Sequence, residues 1–436
     1  MKKKLVAGLL VMSCLVGCGA EKPVIDPHSP SSTMTPLEDI PESTETVNKD
    51  TEVVEVNEEK PIKGVDLSDD NLTNSVNLVD LIAEQDDTVN IMLSPTSLNY
   101  ALGMVCDGAN GKTKEQISKY LGGDGFSSHA KGYLKKLDMF NSDDTIDGYN
   151  TKFQIADALW VDETISLNDS YKNKVVDNYN AEVDTVNFQD VDKACSIINM
   201  WADINTNGLI NEIISPSLIN ASTKMCITNS VYFESAWLEP WNYVENNVET
   251  FTKANRDEID CSFLKATGDT YYENDNATAF GYDYMSGLKF IGILPKNNGN
   301  FSIADLDIKG LLNSKTTEYD VNMKMPKLNF ETSADLTNYL SGMGVDEMFS
   351  DNADFSGVSK DPLKVDSVIQ KTKLELDENG TKAAAVTAVM MMENACAVGV
   401  EKKVKEVNLD RPFAFLIYDE ENNEVLFLGK VMTLNN

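Results

Sequence analysis

Histidine is almost absent: the 436 residues contain two, His28 and His129. That scarcity excludes whole reaction classes. No two-histidine metal motif such as H-E-x-x-H can be written, and a Ser-His-Asp or Cys-His centre would have to draw on one of these two. His28 lies in a Pro/Ser stretch and His129 follows Gly125-Phe126-Ser127-Ser128, so both read as loop residues and not as catalytic bases. Basic charge is scarce as well. Lys and Arg number 37 against 70 Asp and Glu, a net charge of -33. Binding a phosphate backbone needs clustered cations, so nucleic acid is excluded as a partner. Cysteine occurs without any C-x-x-C spacing. Beyond residue 18 an odd set remains, Cys106, Cys195, Cys226, Cys261 and Cys396, which argues against a disulfide scaffold or a zinc site. Gly111-Lys112-Thr113 looks like the end of a phosphate-binding loop, but the glycine required five residues earlier is Cys106. No metal, nucleotide or other cofactor is expected, and no enzymatic activity.

What is present is ample apolar material, 42% of the chain, enough for a large core. Its distribution is uneven. Lys2, Lys3 and Lys4 precede an apolar run from Leu5 to Leu15, a charged n-region and an h-region too short to span a bilayer. The run ends in Leu15-Val16-Gly17-Cys18, which resembles a bacterial lipobox; the bland alternative is an ordinary secretory signal with an incidental cysteine. The lipobox implies lipidation of Cys18 and a protein anchored at the outer face of the bacterial cell membrane. Residues 1–18 are thus a signal segment. Residues 19–60 hold five of the thirteen prolines, eleven acids and three lysines. Such a stretch buries too little apolar surface to offset its ordering entropy, so 19–70 is expected to be a disordered acidic tether. The signal contributes +3 and residues 19–60 contribute -8, which leaves -28 on the remainder. That charge suits solubility and names no partner.

Residues 71–436 show no linker and no repeat, and read as one domain, expected to be a monomer. Helical patterns come first. Ser94-Pro95 is an N-cap followed by Pro at the first helical position, and Leu98, Ala101, Leu102 and Val105 follow at helical spacing. Thr113 and Gln116 form a capping-box pattern before Ile117, with Gly122-Gly123 as the stop. Ile197, Trp201 and Ile204 share a helical face. Strand patterns come later: Met225 to Phe233, the alternating Val321, Met323 and Met325, and a hairpin of Phe413–Tyr418 with Val425–Val431, apolar on both faces. Helices early and strands late argue for an α+β fold.

One segment fits neither pattern. From Glu378-Asn379-Gly380-Thr381-Lys382 the chain enters a run of Ala, Val and Thr that extends to Val400. Ala favours a helix, whereas Val and Thr favour a strand. With period two, Thr381, Ala383, Ala385, Thr387, Val389 and Met391 share an uncharged face whose first four residues are small. Lys382 falls on the other face. This is a strand able to slide into a sheet, preceded by a glycine able to serve as its hinge.

Here the sequence resembles the serpin family. Glu378 to Ala385 looks like the proximal hinge of inhibitory members. Leu93-Ser94-Pro95-Thr96-Ser97-Leu98 with Asp107-Gly108-Ala109-Asn110-Gly111-Lys112-Thr113 resembles the early helix motif. Trp201 with Thr206-Asn207-Gly208 resembles the segment before the long sheet strands, and Asn229, Phe233 and Trp237 with Pro240-Trp241 are similar to the breach signature. Pro326-Lys327, Ala353-Asp354-Phe355-Ser356-Gly357, Arg411-Pro412-Phe413-Ala414-Phe415 and Leu426-Phe427-Leu428-Gly429-Lys430-Val431 follow in the family's order. The resemblance implies three β-sheets surrounded by eight to nine helices, with an exposed reactive loop at about 378–405. It assigns Asn229, Trp237, Ser94 and Gln370 to the breach and shutter, with Gln370 in place of the usual His.

The resemblance also implies suicide inhibition of a serine endopeptidase, held as a covalent acyl complex after loop cleavage and insertion. Family spacing from Glu378 places the scissile bond at Asn394-Ala395, with Met392, Glu393, Ala395 and Cys396 as slipped registers. No Arg or Lys lies between Val386 and Val400, so elastase-like or subtilisin-like targets fit better than trypsin-like ones. Two alternatives stay open: a non-inhibitory binding module, and an inhibitor of a cysteine protease. Cys396 is either a redox-sensitive thiol or simply a side chain near the cleavage site.

Overall fold

The computed structural model describes residues 52–56, 60–62, 64–140, 151–381 and 402–434. Among these residues lie three sheets of seven, six and four strands, with eight α-helices and two short 3-10 turns. The expected α+β architecture of three sheets and surrounding helices is present. No described helix is long and apolar enough to cross a membrane.

The long strands form where β-branched and aromatic residues run with period two or as continuous apolar stretches. Met225–Ala236 is buried on both faces along nearly its whole length. It pairs antiparallel with Lys152–Asp162 over ten residues. The seven-stranded sheet runs in the order Glu52–Val56, Leu328–Asp335, Ser367–Leu376, Gly380–Thr381, Met225–Ala236, Lys152–Asp162, Glu182–Val186. Its inner face packs on the six-stranded sheet. Phe153 and Phe233 meet edge to face at 6.1 Å, Phe427 packs 6.3 Å from Phe153, and Phe330 sits 6.5 Å from Phe415. The predicted hairpin supplies the centre of that second sheet: Phe413–Asp419 is buried throughout, and Glu424–Val431 is buried from Val425 onward. Helix Val191–Asn205 covers the outer face, with Trp201 edge-on to Trp160 at 5.6 Å.

Several expectations need correction. The 19–70 tether is too long at its C-terminal end. Glu52–Val56 forms a parallel edge strand against Phe330–Ala334. Ahead of helix Asn71–Ala83, Lys60 N donates to Gln85 Oε1, and Val65 N donates to Gly342 O. The acidic average of the region hid a short β-branched run, Val53-Val54-Glu55-Val56, whose Val54 reaches the core. Thr113 and Gln116 do not cap a helix. Helix Gly111–Tyr120 starts after Asn110, and these side chains reach outward to Asp354 N and to Asp346 and Glu347. Ile204 is 61% exposed, because the buried face of its helix runs through Ala194, Ile198, Trp201 and Ala202. His129 is not in a loop. It lies in helix Phe126–Phe140, stacked on Tyr133 and paired with Glu424.

Candidate functional site: the parted strands and the hinge

Ser94-Pro95 starts helix Pro95–Cys106, with Ser94 Oγ accepting from Ser97 N. That helix end lies beneath two central strands, Ser367–Leu376 and Met225–Ala236. They pair in parallel from Ser367 with Cys226 to Thr372 with Val231. Above that point the pairing stops, and no ladder joins Lys373–Glu375 to Tyr232–Glu234. Higher still, Gly380–Thr381 sits between the two strands, antiparallel to both. Thr381 lies opposite Leu376 on one side and Ser235 on the other, and Gly380 opposite Ala236. The sheet is closed below and wedged open above.

The wedge is held by local chemistry. A tight turn returns the chain: Asp377 N donates to Gly380 O at 2.9 Å, and Asp377 Oδ1 accepts from Asn379 N at 2.7 Å. Trp237 N donates to Asn379 O, Trp241 N donates to Glu378 O, and Trp237 Nε1 donates to Asp377 O at 2.8 Å. Lys327 pairs with Glu378 at 2.5 Å and lies 3.7 Å from the Tyr243 ring centroid. Gly380 is required sterically. A Cβ there would stand 2.3 Å from Ser235 O. Thr381 points inward, fully buried, with its hydroxyl 2.7 Å from Tyr284 OH. Tyr284 in turn stacks on Trp237 at 4.2 Å.

The closed part is locked by a second cluster, every member buried. Gln370 Oε1 accepts from Ser94 N at 2.9 Å, and Gln370 Nε2 donates to Ser94 O at 3.1 Å and to Asn229 Oδ1. Asn229 Nδ2 donates to Ser97 Oγ and to Asp157 Oδ1. Ser94 Oγ donates to Leu426 O at 2.6 Å. One amide therefore ties a central strand to a helix N-terminus and to the facing strand. Removing one partner from such a network leaves buried polar groups unpaired.

The structure thus brings Ser94, Asn229 and Gln370 together. It places Trp237 apart from them, at the hinge, one residue past the end of the strand that carries Asn229. Glu378, Gly380 and Thr381 also lie at the hinge. Ala383, Ala385, Thr387, Asn394, Ala395, Cys396 and Cys18 lie outside the described residues. Sequence reasoning missed Asp157, although a period-two reading puts it on the inner face with Phe153 and Leu159. It also missed the Lys327–Glu378 pair, for which no sequence signal exists. Among the described residues no group of three or more metal-ligating side chains is found.

A family model described as "Serpin (serine protease inhibitor)" matches residues 70–434. A serpin-like protein of Methanosarcina mazei is 31% identical over 386 residues, covering 85% of this chain and 88% of the relative. The crystal structure of the thermophilic serpin tengpin in its native state is 27% identical, with a TM-score of 0.71, covering 88% of this chain and 97% of that one. Human thyroxine-binding globulin complexed with its hormone has the same fold at 24% identity and a TM-score of 0.72, covering 84% of this chain and 98% of that one.

Proposed function

The chain belongs to the serpin family, a family of protease-inhibitor type, and on that premise we propose that it is a suicide inhibitor of a serine endopeptidase with elastase- or subtilisin-like preference. The protease's serine attacks the carbonyl of Asn394 or a near neighbour, and the amine of the next residue leaves. The hinge half of the loop then enters the large sheet while the acyl ester persists. The catalytic machinery belongs to the target; this chain supplies the bait and the sheet.

One observation carries the proposal: Gly380 and Thr381 already occupy the top of the gap, bonded in register to both flanking strands. Continued residue by residue, that register sets Ala383 opposite Phe233 and Leu374, and Ala385 opposite Val231 and Thr372. It sets Thr387 opposite Asn229 and Gln370. Larger side chains on this face would meet Phe233 and Leu374, both buried in the core. The run of small residues is what such a slot requires. A purely binding function within the same fold, as in thyroxine-binding globulin, would impose no such requirement on residues 383–387.

Mixing the protein with elastase, subtilisin and trypsin, followed by a denaturing gel, tests the proposal. A covalent band larger than either partner is expected with at least one of the first two. Clean nicking with no adduct from any protease would sink it. Mass spectrometry of the released C-terminal peptide reads the scissile bond. The proposed location is the outer face of a bacterial membrane, through lipid on Cys18. Cys18→Ser should move the protein from the membrane fraction to the soluble extracellular fraction.

A further inference from the structure

Beneath the closed part of the sheet lies a carboxyl that neither bait nor hinge requires. Asp157, on strand Lys152–Asp162, stands opposite Asn229 and is 2% exposed. Its Oδ1 accepts one N–H from Asn229, and its Oδ2 has no hydrogen-bond partner. The groups bonded to it, directly or through Asn229, are uncharged. Met225–Ala236 gives Asn229, helix Pro95–Cys106 gives Ser97 and Tyr100, and Ser367–Leu376 gives Gln370. Tyr100 is the titratable one, and its hydroxyl donates to Ala130 O at 2.9 Å, away from the carboxyl. Burial raises the Asp157 pKa well above the usual carboxylate range; the Asn229 amide is the sole opposing influence and no cation contributes. A carboxylate so enclosed needs several donors to persist, and it has one.

We propose that Asp157 is a proton-operated latch on the large sheet: the neutral carboxyl keeps the two central strands closed, and loss of its proton loosens them. The coupling runs through Asn229, whose amide is shared among Asp157, Ser97 and Gln370. While the strands are closed, Asn229 can spare one N–H for the acid and water has no path to it. When they part, Asn229 is released from Gln370 and water reaches the carboxyl. Both changes favour the anion. Opening and deprotonation are therefore linked. The sign follows: the closed state has the raised pKa, so its advantage is complete at low pH and is lost as pH rises through that value. For one proton, the opening constant grows by up to ~tenfold per pH unit across the window. The functional consequence rests on the insertion mechanism proposed above; the physics of the latch does not.

The test uses the full-length protein and a synthetic peptide spanning residues 380–391, whose entry into the sheet is followed on native gels from about pH 5.5 to about pH 9. The parent, Asp157→Asn, Asp157→Ser and His129→Gln are compared, because His129 is a second titratable group, its pKa raised by the hydrogen bond to Glu424. In the parent and in His129→Gln the entry rate should climb about tenfold or more with pH, while both Asp157 variants stay within about twofold. A flat parent profile, or a climb that survives Asp157→Asn, overturns the latch. Urea midpoints read by tryptophan fluorescence over the same pH range give a measure that needs no insertion. The parent should lose midpoint with rising pH relative to Asp157→Asn, and equal losses overturn the latch. If the peptide enters at no pH, the insertion mechanism fails, and the urea series still decides for or against Asp157.

Discussion

At the hinge, one absent methyl group decides where the loop can enter the sheet. Gly380 passes so close to Ser235 O that any Cβ must push the strands apart or leave the slot. Gly380→Ala should therefore shift the protein from inhibitor toward substrate, read as a several-fold rise in the inhibitor consumed per protease trapped. An unchanged ratio would show that the seated hinge plays no part in insertion. Much at this scale was legible in the sequence. The glycine before a small-residue face pointed to Gly380 and Thr381, and the resemblance pointed to Gln370, which both donates and accepts in the buried cluster. Other residues were misjudged for physical reasons. His129 follows glycine and serines that suggested a loop, yet it lies in a helix, stacked on Tyr133 one turn along and paired with the distant Glu424. Asp157 was passed over because an acid in an apolar strand is ordinarily turned outward, and here the register turns it in.

Among the elements, the strand Glu52–Val56 carries information that composition concealed. It is parallel, five residues long and bonded on one side, and Val54 is its described side chain reaching the core. It closes the open edge of Leu328–Asp335, a feature that sheets otherwise protect with charge or cover. Val54→Asp should cost about 2–3 kcal/mol locally by lost burial and an unpaired buried charge. Proteolysis near residues 52–59 should accelerate markedly while the rest of the domain stays resistant; an unchanged cleavage pattern would mean that the strand is not secured by Val54. The loop's outer face allows a second prediction. The register seen at Gly380 and Thr381, continued by one residue, sets Lys382 against Glu234 and Glu375. Like charges directly opposite destabilise a ladder, so Lys382→Glu should slow trapping several-fold at low salt and less at high salt. Equal rates at both ionic strengths would contradict that register. Element types were readable wherever periodicity was strong, as in Met225–Ala236 and the closing hairpin. The order of strands in the sheets was not, because it is fixed by pairings between segments more than a hundred residues apart, such as Ser367–Thr372 with Cys226–Val231.

For the whole molecule, the scarcity of histidine agrees with the proposal that the reaction is carried out by the target. The sheet holds strands that are paired at one end, parted in the middle and wedged at the other; on the proposed mechanism this arrangement stores stability that insertion would release. Insertion from Gly380 to Met391 would part the closed ladder of Ser367–Thr372 with Cys226–Val231 and replace it with backbone bonds on both edges, a net gain on the order of ten at ~1 kcal/mol each. The most direct measurement is therefore a pair of thermal melts, one of the intact protein and one after a single cut within residues 390–396. The account predicts that the cut protein, although its chain is broken, melts far above the intact one. Equal melting temperatures, or a lower one after cleavage, would contradict insertion of the loop.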